Sequence, residues 1–121
     1  KLSSNESIKL VHKDIFSLSK DYADNFDIVF EYTCYCAIDP DRRREYFDMV
    51  HRILNQGGKL LGIFIPFDKN MHNEEGPPYG VSEDEIIALT KGNFNILENS
   101  FSALSINKRA GREKLMILEK I

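Results

Sequence analysis

The side chains most suited to chemistry cluster in Glu31-Tyr32-Thr33-Cys34-Tyr35-Cys36. They follow Phe26-Asp27-Ile28-Val29-Phe30, a run that is apolar except for Asp27 and reads as a central parallel strand covered on both faces. In open α/β sheets, ligands occupy the crevice beyond the carboxyl ends of the strands, so Glu31, Tyr32, Thr33 and Tyr35 are placed to line a binding site. A second candidate is Gly76-Pro77-Pro78-Tyr79-Gly80, which closes the long connection over residues 68–81. Connections of that length without structure are commonly lids or binding loops. Other chemistries have little support. His12, His51 and His72 lie far apart, without ligand-like spacing to a cysteine or carboxylate, so no metal site is expected. Cys34 and Cys36 form neither a redox Cys-x-x-Cys nor a disulfide framework and read as small buried residues.

The elements that must position these residues can be read in order. Ile8, Leu10 and His12 alternate with Lys9, Val11 and Lys13 as in a short edge strand ending at Asp14. A polar connection over residues 17–25, with at most a short helical turn, leads to the strand at Phe26. Asp39-Pro40 then marks a helix start, since an aspartate caps free amides and proline suits the first helical position. Tyr46, Phe47, Val50, Ile53 and Leu54 give that helix one apolar face, and Gly57-Gly58 is expected to end it. Lys59 to Phe67 is the most continuously apolar run and reads as a buried strand ended by Pro66, completing a right-handed parallel βαβ unit. Ser82 opens a second helix, with Glu85 completing a capping box and Ile86, Ile87 and Leu89 on the buried side. Phe94 to Leu104 and Lys114 to Ile121 suit two strands pairing as an antiparallel hairpin.

Composition sets outer bounds. A chain of 121 residues with 42 % apolar and 29 % charged residues suits one folded domain. A net charge of −3 gives no reason to expect nucleic acid as a partner. The Arg42 to Arg44 run reads as an exposed helix face, and Lys108, Arg109 and Arg112 as a solvated hairpin tip, with an anion site as the alternative for the latter three. No apolar run is long enough to span a bilayer and no signal-peptide core is evident, so a cytoplasmic location is expected.

Three separated segments carry a resemblance: Phe30 to Pro40, Gly76-Pro77-Pro78-Tyr79, and Gly111-Arg112-Glu113-Lys114-Leu115. Together they resemble the thiopurine methyltransferase superfamily, most of all the halide and thiol methyltransferases known as harmless-to-ozone-layer proteins. The resemblance implies an α/β, Rossmann-like class I methyltransferase sheet, mainly parallel with an antiparallel C-terminal hairpin, and S-adenosylmethionine as cofactor. It covers only the second part of that fold. The first strands and the Gly-rich loop of the family have no counterpart, since no Gly-x-Gly precedes Asp14. The chain is therefore expected to be a partial methyltransferase domain over residues 1–121, a truncated product, split enzyme or fragment. The same lack of a Gly-rich turn argues against a dinucleotide-binding domain.

By this resemblance, Asp14, Ile15 and Phe16 fall where the family contacts the adenine, the alternative being a turn cap and core packing. Glu31 and Tyr32 fall beside the methionine end of the cofactor and the acceptor, where a carboxylate or an aromatic face would attract a sulfonium cation. The alternative is a surface acid at a strand end. Tyr35 reads either as a pocket wall or as a packed core tyrosine. Tyr79 is the expected catalytic residue, its phenol donating to an anionic nucleophile while Pro77 and Pro78 keep the loop rigid. The alternative is a stiff turn with a packed ring. The implied reaction is methyl transfer to a small soft nucleophile, such as a thiol, thiocyanate or halide, which needs no strong general base. A second reading is a noncatalytic module whose exposed strand edges pair with a second copy or a complementary N-terminal segment.

Overall fold

The computed structural model describes residues 8–67, 76–101 and 111–121. Four strands form one sheet in the order β1-β2-β4-β3, with β1 at Phe26–Tyr32, β2 at Leu54–Phe64, β3 at Phe94–Phe101 and β4 at Lys114–Lys120. β1 and β2 are parallel, and β4 runs antiparallel to both β2 and β3. The mainly parallel α/β sheet with a terminal antiparallel pair is as the sequence leads one to expect.

Helix α1 (Leu18–Tyr22) precedes the sheet, α2 (Arg43–Ile53) joins β1 to β2, and α3 (Glu83–Thr90) leads to β3. Asp39 accepts from the Asp41 amide and caps a 3-10 turn over Pro40–Arg42, from which α2 continues. The apolar stripe of α2 lies against one face of the sheet. Tyr46, Phe47, Val50 and Ile53 share a buried core with Leu60, Phe64, Met116, Leu118 and Ile86.

Four expectations need correction. Residues 8–13 form no strand; Ile8 and Leu10 are exposed, and a strand requires a neighbour to take its amides. Helix α2 ends at Ile53 rather than at Gly57-Gly58, because Leu54 already has extended angles and pairs with Phe26. The glycines instead lie in an irregularity of β2, where pairing jumps from Phe26↔Leu54 to Ile28↔Lys59. Gly57 has φ +76°, and a Cβ on Gly58 would sit 2.8 Å from the Asn55 carbonyl oxygen. β1 is an edge strand among the described residues and is covered on one face only: Ile28 and Phe30 are 60 % and 64 % exposed. On α3, Ile86 and Thr90 supply the buried side while Ile87 is exposed. The expected lid lies largely outside the described residues, as do Lys108 and Arg109.

Candidate active site

The loop after β1 is held by Glu31. Its carboxylate is buried and accepts from the backbone amides of Cys34 and Tyr35 at 2.9 and 3.0 Å and from the Tyr46 hydroxyl. Buried carboxylates are costly without partners, and these three donors supply them. The arrangement stabilises an unusual turn: Thr33 has φ +62°, a conformation rare for a β-branched residue. Glu31 is therefore a brace inside the fold rather than a surface acid.

Tyr35 is a core residue. It is 1 % exposed, and its ring centroid lies 5.3 Å from those of Phe47 and Phe64. Its hydroxyl donates to Glu85 at 2.7 Å, and Arg43 lies over its ring at 4.3 Å. Burial first, and the Glu85 carboxylate second, push the phenol well above the ordinary tyrosine range, so it stays a hydrogen-bond donor. The core alternative is thus the one observed.

Arg43 is the buried residue beside the site that the sequence reading took as exposed. Its guanidinium is fully buried, pairs with Glu85 at 2.9 Å, and donates to the carbonyls of Gly80 at 2.9 Å and Tyr79 at 3.4 Å. Glu85 is consequently no capping-box partner: Ser82 accepts from the Glu85 amide at 3.1 Å, but the Glu85 side chain turns to Arg43 and Tyr35. The Tyr79 amide donates to the Cys36 carbonyl at 2.7 Å, and the Val81 amide to the Pro66 carbonyl at 3.0 Å. The Pro-Pro-Tyr loop is thereby tied to α2, α3 and the loops after β1 and β2. A signal for Arg43 was present: it stands three, four and seven residues before Tyr46, Phe47 and Val50, on the apolar stripe.

These loops line an open pocket of about 410 Å³ formed by Thr33, Cys36, Ala37, Ile65, Pro66, Pro77, Pro78 and Arg112. It sits where the sequence places a crevice, beyond the carboxyl ends of two adjacent parallel strands. Pro77 and Pro78 are in its wall, whereas the ring of half-buried Tyr79 lies back over Gly76, where a Cβ would come within 2.4 Å of it. Tyr32 is partly exposed, and its hydroxyl donates at 2.6 Å to buried Glu113 at the start of β4. Arg112 is not a solvated tip residue, because the backbone amide of Phe67 donates to its carbonyl at 3.1 Å and its side chain joins the cavity wall.

Asp14, Ile15 and Phe16 are not among the described lining residues. Asp14 caps the 3-10 turn over Ile15–Ser17, accepting from the Phe16 amide at 2.9 Å. Ile15 and Phe16 pack against the core, with Arg42 3.9 Å above the Phe16 ring. Among the described residues no group of His, Cys, Asp and Glu could hold a metal ion.

The architecture is that of Rossmann-like methyltransferases. It superimposes with a TM-score of 0.67 on a Burkholderia thailandensis 1,6-didemethyltoxoflavin-N1-methyltransferase crystallised with S-adenosylhomocysteine, at 17 % identity, covering 91 % of this chain and 49 % of that one. A S-adenosylmethionine-dependent methyltransferase from Clostridium acetobutylicum gives a TM-score of 0.68 at 17 % identity, covering 93 % of this chain and 64 % of that one. Residues 1–120 match the thiopurine S-methyltransferase family, and the chain belongs to it. Among similar sequences are a probable thiol methyltransferase 2 of Arabidopsis thaliana, 34 % identical over 81 % of this chain and 45 % of the relative, and a thiocyanate methyltransferase 1 of Brassica oleracea, 32 % identical over 79 % and 42 %. The chain spans about half the length of the curated relatives it matches.

Proposed function

We propose that the protein carrying this chain transfers a methyl group from S-adenosylmethionine to a small soft nucleophile, a thiol, thiocyanate or halide. Membership of the thiopurine S-methyltransferase family supports the reaction class, and the similarity to thiol and thiocyanate methyltransferases supports the acceptor class. The single observation that carries the reading is the apolar cavity at the strand ends, walled by Pro77 and Pro78 and held by the Arg43 network. In this reading the pocket holds the nucleophile in line with the methyl carbon, which is the main task for acceptors that need no strong base.

In this reading Asp14, Ile15 and Phe16 contact the adenine, and Tyr32 faces the sulfonium. Glu31 acts on the same end of the cofactor through its field and through the loop it braces. Pro77, Pro78 and Tyr79 form the acceptor side, with the Tyr79 phenol donating to the nucleophile. Calorimetric titration of the full-length protein with S-adenosylhomocysteine tests the cofactor assignment. Micromolar binding supports it, and a folded protein with no detectable binding would sink it.

A second reading has its own observation: the edge and outer face of β1, with Ile28 and Phe30 exposed, would suit pairing with another chain.

A further inference from the structure

Thr33, in the pocket wall, has a backbone conformation that its residue type does not favour. Among the described residues, Asp24 and Thr33 are the non-glycine residues with positive φ, at +51° and +62°. Aspartate tolerates the left-handed region, whereas a β-branched residue is an outlier there. A glycine would take up this turn at no steric cost, so the fold alone does not call for a side chain at position 33.

The turn is held from both sides. Before it, the Glu31 carboxylate accepts from the Cys34 and Tyr35 amides and from the Tyr46 hydroxyl. After it, Cys36 Sγ donates to the Thr33 carbonyl at 3.5 Å, and the Ala37 amide donates to the Cys34 carbonyl at 3.0 Å as the chain enters a 3-10 turn over Tyr35–Ala37. Strained backbone persists where its surroundings over-determine it, and such places concentrate at ligand sites. Thr33 meets both conditions, since it is clamped and it lines the pocket beyond β1 and β2 together with Cys36, Ala37, Pro77 and Pro78.

The residue is exposed, yet its side chain is fixed. Oγ1 commits its one proton to the Tyr32 carbonyl at 2.6 Å, which ties the side chain to the end of β1. Rotating it away from a larger ligand would break that bond, and branching at Cβ makes such rotation costly in any case.

We propose that Thr33 is a specificity-determining residue of the pocket, limiting the size of the methyl acceptor that it admits. The inference rests on the methyltransferase reading above and deepens it: the fixed bulk at position 33 favours compact acceptors over thiols that carry a ring. In an apolar pocket a single methylene changes discrimination by about 10- to 200-fold, so a whole side chain in the wall is enough to set such a limit.

The test is steady-state kinetics of the full-length protein with thiocyanate and with thiophenol, comparing wild type, Thr33→Gly and Thr33→Asn. The ratio of kcat/KM for the two acceptors is read within each variant, so the fraction of protein that is folded does not enter it. Thr33→Gly should move this ratio about tenfold or more towards thiophenol, with a urea midpoint no lower than that of wild type. Thr33→Asn keeps a residue that tolerates the left-handed turn and adds bulk, so it should move the ratio towards thiocyanate. A ratio within about twofold of wild type in both variants, well below the effect of one methylene, overturns the assignment. So does a shift towards thiocyanate in Thr33→Gly. If wild type binds S-adenosylhomocysteine but methylates no thiol, thiocyanate or halide, the acceptor reading fails and the size limit with it. A methylating wild type whose ratio ignores position 33 removes Thr33 alone.

Discussion

Replacing Glu85 by Ala isolates the buried network that holds the Pro-Pro-Tyr loop. Arg43 has no exposed side-chain surface, and Glu85 is its carboxylate at 2.9 Å. Removing that carboxylate takes from the buried guanidinium its ion-pair partner at 2.9 Å and from the Tyr35 hydroxyl its acceptor. Breaking one partner of a buried pair costs roughly 3–5 kcal/mol. A domain is stable by only about 5–15 kcal/mol. With an m-value of about 2 kcal/mol/M, the urea midpoint should fall by roughly 2 M. The exposed Arg42–Glu45 pair gives the contrast: at 3.1 Å it is nearly as close, yet both side chains are about half exposed, and Glu45→Ala should leave the midpoint unmoved. Urea denaturation followed by circular dichroism measures both. The double variant Arg43→Met with Glu85→Ala should be more stable than Glu85→Ala alone, since an apolar side chain replaces the buried guanidinium. If Glu85→Ala lies within about 1 kcal/mol of wild type, well below the buried-pair range, the loop is not held by this ion pair.

Other expectations concern the loop, the cysteine and the open edge. Tyr79→Phe should lower turnover with thiocyanate while leaving S-adenosylhomocysteine affinity nearly unchanged; unchanged turnover would remove its phenol from the mechanism. The Cys34 thiol is pushed up to about 11 by burial and then by the Glu31 carboxylate and Cys36, so its alkylation by iodoacetamide should stay slow at pH 8 and accelerate only as pH approaches 11. Alkylation at the rate of a free cysteine at pH 8 would contradict that environment. If the open side of β1 is a pairing surface, light scattering should find a stable dimer or heteromer that is lost in Phe30→Lys, whereas a clean monomer at high concentration speaks against it.

The sequence carried the fold well because its strongest signals are ones that local physics enforces. Asp39-Pro40 caps the turn that opens α2, the Tyr46 to Ile53 stripe does lie on the sheet, and Ser82 does cap α3. It misplaced Gly57-Gly58 because glycines with left-handed angles serve a strand irregularity as readily as a helix end. It read Phe26 to Phe30 as covered on both faces because an apolar run records what a strand is suited to, not which of its neighbours the described residues include. In the site, the crevice and the two prolines were legible, but the polar network was not. Arg43 was taken with its neighbours as a solvated run, although only Arg42 and Arg44 point away from the core. Arg112 and Glu113 stood out only as part of the resembling Gly111 to Leu115 segment, and Arg112 was read as a tip residue, because their long-range contacts with Phe67 and Tyr32 leave no mark on the local pattern.

The central claim is that this cavity serves methyl transfer to a soft nucleophile. Its most direct test incubates the full-length protein with methyl-labelled S-adenosylmethionine and, separately, thiocyanate, hydrosulfide and iodide, and follows the labelled methyl product. The account predicts labelled methyl thiocyanate, methanethiol or iodomethane, formed at a rate proportional to enzyme concentration. A folded protein that binds S-adenosylhomocysteine and yields none of the three would contradict it.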